Sequence, residues 1–193
     1  MARSVGRIVR PWYKSRWAIV LLLLVCLAVY LLTRTASSEG PWREGHEKGA
    51  YAELFGRSVT IHNIRNFRED SQQPASREYL SKTFELDELE RIWFGLSHFG
   101  PYGLAHSFIS MEFADGEFLG LSIEARLRPG QVYGPLKGLF RQYTKIYIAA
   151  TEPDVIGRRS HRRGETVFLY PVSTTRENME RFILSDHRRE RGL

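Results

Sequence analysis

The 193-residue sequence has a single cysteine, Cys26, and it lies in the middle of an apolar run. A disulfide within the chain and a cysteine-based metal site are both excluded on that count. Acid is missing altogether from residues 1–38, whereas Arg3, Arg7, Arg10, Lys14, Arg16 and Arg34 stand there. That arm carries the whole net charge of +6, and the rest of the chain is balanced against its 22 acidic residues. A domain that binds nucleic acid carries its own basic excess, so no nucleic-acid partner is expected. The phosphate-binding loop, the serine-hydrolase elbow, the H-E-x-x-H zinc motif and the EF-hand loop are all absent. His46, His62, His98, His161 and His187 show no ligand spacing, so neither a metal nor a cofactor is expected. What remains is a globular composition, 42% hydrophobic and 12% aromatic, with enough apolar mass for one core.

Trp17 to Leu32 reads WAIVLLLLVCLAVYLL, sixteen residues without a charge. Such a run is somewhat short for a hydrocarbon core of about 30 Å. Thr33 extends it, Arg16 and Arg34 can snorkel from its ends, and Trp17 and Tyr30 suit the two interfaces. A cleaved signal peptide is the rival reading, but Thr35-Ala36-Ser37 makes a poor cleavage site and Arg34 follows the run directly. The uncleaved anchor is favoured, with the basic residues before it holding the N-terminus inside. Cys26 is then an apolar residue facing lipid.

Past residue 34 the chain turns polar and Gly-rich, and 34–48 reads as a linker. Alternation then predicts strands over Ser58–Phe67, Tyr79–Leu86, Arg91–Phe99 (apolar enough to be buried), Ala105–Phe113, Phe118–Ala125, Ile146–Ala150 and Val167–Pro171. In the first of these Val59, Ile61 and Asn63 share one face. Asp115-Gly116 signals a hairpin. Leu136–Tyr143 reads as a short helix, and Pro153–Arg163 as a polar loop or short helix. From Thr174-Thr175 an amphipathic helix begins, with Met179, Phe182 and Ile183 on one face. The fold class is α+β, a mostly antiparallel sheet with few helices.

The chemistry-bearing residues gather on the central hairpin: His106 opens one strand, and Glu124 and Arg126 end its partner. A two-residue turn at Asp115-Gly116 pairs positions whose numbers sum to about 231. His106 then lies opposite residue 125, flanked by Glu124 and Arg126. A histidine beside a carboxylate is how a general base is oriented. The plainer reading is a hydrogen-bonded core histidine beside a structural Glu124–Arg126 ion pair, and spacing alone favours it. The run Arg158–Arg163 could meet anionic headgroups; a solvated basic loop is the simpler account.

The segments VTIHNIRNF (59–67), LAHSFISMEF (104–113), SIEAR (122–126) and GLFRQY (138–143), in that order, resemble the Lnb N-terminal periplasmic domain family over about 58–172. The resemblance implies a circularly permuted papain-like fold, of the group that includes lecithin–retinol acyltransferase. It also implies a link to N-acylation of bacterial lipoproteins, with His106 as the base that activates a thiol and Glu124 or a nearby polar group orienting its ring. The family's nucleophile is expected in an Asn-Cys-Thr segment after the last matched helix, and these 193 residues contain none. Pro129, Gln131, Thr144-Lys145 and Pro153 also depart from a pattern that is more acidic in the family.

The expectation is therefore a basic cytoplasmic segment (1–16), a transmembrane helix (17–33), the linker (34–48) and a periplasmic domain (49–193), shortened at its C-terminus. The protein would cross the inner membrane of a Gram-negative bacterium once. Its partner would be membrane lipid or a lipoprotein. Two functions follow: an acyltransferase or amidase type of domain with His106, Glu124 and Arg126 at its site, or a non-catalytic anchored module that binds lipid, lipoprotein or a protein partner.

Overall fold

A computed structural model describes residues 12–33, 36–68, 76–100 and 103–190. The chain divides into two compact units. The first joins the N-terminal helix and the residues after it, up to Ser38, with Tyr133–Thr144. The second contains Glu39–Val132 and the chain from Lys145 onward.

In the first unit, α1 (Trp12–Thr33) is a 22-residue helix. Its side chains from Trp17 through Val29 stand exposed and apolar all around it, the pattern of a helix with no polar face to turn to water. Among the described residues no helix is long and apolar enough to cross a membrane. The uncharged run from Trp17 to Leu32 rises about 24 Å, less than a hydrocarbon core of about 30 Å. The stretch expected as a transmembrane helix is thus helical, and its crossing is not shown. The same unit holds α2 (Pro135–Leu139), which starts with proline at its first turn, where the missing N–H costs nothing. The helix expected to run to Tyr143 ends sooner, because Arg141 takes a left-handed φ of 53°.

The second unit is built on an eight-stranded sheet. Its strands are β1 (Tyr51–Phe55), β2 (Ser58–Arg68), β3 (Ser76–Glu85), β4 (Leu89–His98), β5 (Ala105–Phe113), β6 (Phe118–Arg126), β7 (Thr144–Thr151) and β8 (Thr166–Pro171). They run in the order β1-β2-β7-β6-β5-β4-β8, with β3 also paired to β2. Every registered pairing is antiparallel except β2 with β7, which meet in parallel at Arg65 and Ala150. The α+β class and the mostly antiparallel sheet are as expected. Two short helical turns, α3 (Glu152–Val155) and a wider turn at Arg158–Arg162, follow β7. The last helix, α4 (Arg176–Glu190), buries Met179 and Ile183 against the core around Val59, Phe84 and Met111. Gly95 makes room for the Phe108 ring against β4, since a Cβ there would stand 2.3 Å from a ring carbon.

Four local expectations changed. The β5–β6 hairpin pairs Ile109 with Leu121 and Glu112 with Phe118, a sum of 230. Three residues, Ala114–Gly116, form the turn, with the Phe113 N–H donating to the Glu117 carbonyl at 3.0 Å and Gly116 at φ 79°. That one-residue slip changes which side chains share a face with His106. In β2 a bulge between Ile61 and Ile64, with Asn63 at φ 58°, breaks the alternation so that Ile64 through Phe67 are all buried. β4 is not buried throughout: Leu89, Ile92, Gly95 and Ser97 are buried, and Phe94 is open to solvent. β1 is an added strand, paired antiparallel to β2 through a turn at Gly56-Arg57.

Candidate functional site

His106 stands at the start of β5 and Ser122 on β6, and the His106 Nε2 lies 2.7 Å from the Ser122 Oγ. Both line a cavity of about 610 Å³ whose other walls are mostly apolar, including Val59, Phe84, Met111 and Leu119. A volume of that size is in the range of small-molecule sites, and a few convergent polar groups on an apolar wall are what orient a ligand.

Behind Ser122 the polar chain continues inward. The Ser122 hydroxyl approaches Glu124 Oε1 at a longer 3.4 Å. Arg159 Nη2 donates to the same oxygen at 2.8 Å, and His46 Nε2 stands 3.5 Å from Oε2. Burial by itself would raise the Glu124 carboxyl. His46, Arg159 and Arg65 outweigh it and hold the group well below the usual carboxylate range. An ionised Glu124 draws the Ser122 hydroxyl proton toward itself, and the hydroxyl then accepts from the His106 Nε2–H. This order of donors leaves the Nδ1 lone pair as the ring's acceptor. Burial first, and the charge of Arg159 after it, lower the His106 pKa to about 4. The ring is therefore neutral at neutral pH.

A second buried pair anchors Arg159's element. Arg65 and Asp154 meet in a fork, with Nε and Nη2 donating to the carboxylate at 2.8–3.1 Å. Asp154 also accepts the Phe67 N–H at 2.8 Å, and Arg65 donates to the Gly45 carbonyl at 3.2 Å. Desolvation works against the Arg65 cation, yet Asp154 keeps its pKa above the ordinary value. Geometry this complete is what a buried ion pair requires to offset its desolvation. The pair fixes α3 against the end of β2, five residues before Arg159.

The sequence placed three residues here, and the structure separates them. His106 and Glu124 are linked through Ser122. Arg126 is drawn elsewhere: its guanidinium donates to the His46 and Glu47 carbonyls at 2.9 and 2.7 Å and lies over the Trp42 ring at 4.4 Å. The expected Glu124–Arg126 ion pair gives way to Glu124–Arg159, because Arg126 clamps the segment that leads into β1. Residues 43–46, read as the end of a linker, are packed: His46 is buried, with its Nδ1 accepting the Leu127 N–H at 3.0 Å. Burial, with the Arg43 cation also against the ring, lowers the His46 pKa despite Glu124. The basic run at 158–163 is also divided. Arg159 is buried and Arg158 nearly so, while His161, Arg162 and Arg163 face solvent.

Sequence reasoning missed His46, Arg65, Ser122, Asp154 and Arg159. Arg65 offered no usable signal, because its strand also holds His62, Asn63, Asn66 and Arg68. The others become neighbours only through contacts across the sheet.

Among the described residues no group of histidines, cysteines and carboxylates is placed to hold a metal ion. No curated protein and no solved structure matches the chain. The family model for the Lnb N-terminal periplasmic domain matches residues 75–190, more than half of the chain and including His106, Ser122, Glu124 and Arg159; the protein belongs to that family.

Proposed function

We propose that this protein is a membrane-anchored periplasmic domain that takes an acyl chain into its cavity and presents the acyl carbonyl to His106. The observation that carries the reading is a neutral histidine at the polar end of a large apolar cavity, oriented through Ser122 toward a buried carboxylate. In this reading α1 is the anchor, a single pass through the inner membrane, with the basic residues before it on the cytoplasmic side. The ligand is the acyl group of a membrane lipid or a lipoprotein.

In chemistry of the thiol-dependent acyltransferase type, the His106 Nδ1 would accept the proton of a nucleophilic thiol, which these 193 residues do not supply outside α1, while Ser122 and Glu124 hold the ring. Glu124 acts through Ser122, and Arg159 keeps it ionised. Arg126 belongs to the scaffold of the site by its contacts with Trp42, His46 and Glu47. The second reading, a module that binds lipid or lipoprotein without turnover, draws on the position of the single cysteine within α1. Both readings need the cavity to hold an acyl chain, so binding is the property to test.

The full chain in phosphatidylcholine bilayers is irradiated with a phospholipid that carries a diazirine near the end of one acyl chain. Cross-links are expected on peptides containing Met111 or Leu119. Filling the cavity with Leu121→Trp should cut those cross-links about tenfold, the equivalent of about 1.4 kcal/mol in occupancy. Labelling confined to α1, or unchanged in the variant, would sink the acyl-binding reading.

A further inference from the structure

The first unit contains a feature that acyl binding does not use. Tyr133–Thr144 is a loop closed on itself. Its two ends meet where the Gly134 N–H donates to the Tyr143 Oη at 3.0 Å and the rings of Tyr133 and Tyr143 lie 5.6 Å apart. Between those ends the Gly138 N–H donates to the Gly134 carbonyl and the Phe140 N–H to the Leu136 carbonyl. A closed, internally bonded loop holds its side chains in a fixed presentation.

What it presents is apolar. Leu136 is 71% exposed and Leu139 74%, with Phe140 and Tyr133 also open to solvent. Lys137 and Arg141 stand exposed among them. From Ala125 to Thr151 the sequence has no acidic residue, although residues 39–193 as a whole are balanced, with 22 acidic and 22 basic residues. Exposed leucines, aromatic rings and cations without acids match a surface that dips into the boundary between headgroups and acyl chains. The loop is tied to the chain just beyond α1, since the Thr144 Oγ1 donates to the Ser37 carbonyl at 2.7 Å.

We infer that Tyr133–Thr144 is a second membrane contact, a monotopic loop that inserts Leu136, Leu139 and Phe140 into an anionic lipid surface beside α1. Lys137 and Arg141 meet the phosphate groups, and Tyr133 and Tyr143 sit at headgroup depth. The inference takes the location of that surface from the reading of α1 as an anchor, so the test reports on the two separately.

Three single-cysteine forms of the full chain are made on a Cys26→Ser background: Leu139→Cys, Leu24→Cys in α1, and Phe55→Cys at the exposed end of β1 as the reference. Each carries an environment-sensitive nitrobenzoxadiazole label, in vesicles of phosphatidylcholine with phosphatidylglycerol. Lipids bearing a nitroxide high on the acyl chain serve as the quencher. The label at 139 should be blue-shifted and quenched about threefold more than the label at 55, and more strongly with phosphatidylglycerol than without. Reversing both cations (Lys137→Glu with Arg141→Glu) should lower the ratio of docked to undocked loop about tenfold or more in the anionic vesicles. A label at 139 that behaves like the one at 55, while the label at 24 is quenched, overturns the loop and leaves the anchor. The opposite pattern supports the loop and removes the anchor. If neither label is quenched, both readings fall. Leu136 and Leu139 are outside the core, so substitutions there leave the fold intact, which circular dichroism verifies.

Discussion

Two histidines in the second unit have nearly the same companions and opposite surroundings. His106 meets Ser122 at 2.7 Å, with Glu124 just beyond. His62, on the outward face of β2, meets Ser81 at 3.0 Å and stands 3.4 Å from Glu53, with the Tyr51 ring stacked on it. Each is a histidine, a serine and a glutamate drawn from neighbouring strands. At His62 the carboxylate is in water, with 69% of its side chain exposed against 13% for Glu124. Water screens the outer trio and leaves it a cross-strand pairing on a flat surface. At His106 the ring is largely buried, and buried arginines fix the charge of the carboxylate behind it. A set of residue types becomes a candidate site only where the solvent is excluded and the charges are held in place.

The inner trio therefore depends on its arginines and the outer one does not. The largest effect is expected from Arg65→Ala, which leaves Asp154 charged and buried without its partner. Such a loss costs about 3–5 kcal/mol, to be read from urea unfolding of the soluble signal. An m-value unchanged from the parent would confirm that the loss is one of stability.

Acid should act next, and on the inner trio. An unfolded histidine takes its proton near 6.5, whereas His106 in the fold takes it only near 4. Between those values the unfolded state binds more protons, so stability falls as pH falls, by roughly 2–3 kcal/mol across the window. Thermal melts at a series of pH values should show this decline, and His106→Gln should flatten it. Glu124, whose folded pKa is depressed, stabilises above the ordinary carboxylate range and loses that contribution at lower pH still. A decline that is just as steep in His106→Gln would show that other groups carry it.

The two smallest effects compare the serines directly. Ser122→Ala removes the partner of a largely buried ring nitrogen and should cost about 1–2 kcal/mol. Ser81→Ala, on the solvent side, should stay within about 0.5 kcal/mol and leave the pH profile unchanged. Equal effects from the two variants would erase the distinction between the pairs.

Much of the fold was legible because strand periodicity is local. The alternation in Ala105–Phe113 and Phe118–Arg126, the Asp-Gly turn and the amphipathic face of α4 are each visible within about ten residues. Register was not. The turn at 114–116 uses one more residue than Asp-Gly alone predicts, and this moves the position opposite His106 by one. The bulge at Asn63 likewise required a left-handed residue that the pattern of β2 does not announce. Arg126 looked like the natural partner for Glu124 because it lies two residues away on the same strand. Arg159, 35 residues further on, takes that place because α3 and the turn after it are carried back over the sheet by Arg65 and Asp154.

The sequence by itself determined the α+β class, the apolar helix with its basic flank, the family, and the importance of the AHSFIS and SIEAR segments. Each of these is written in nearest-neighbour patterning and composition. The tertiary structure alone decided that Ser122 stands between His106 and Glu124, that His46 and Arg159 close the site behind them, and that Leu136 and Leu139 face outward. Those facts depend on register, on which face each strand turns to the core, and on desolvation. All three arise only when segments distant in the chain are packed together.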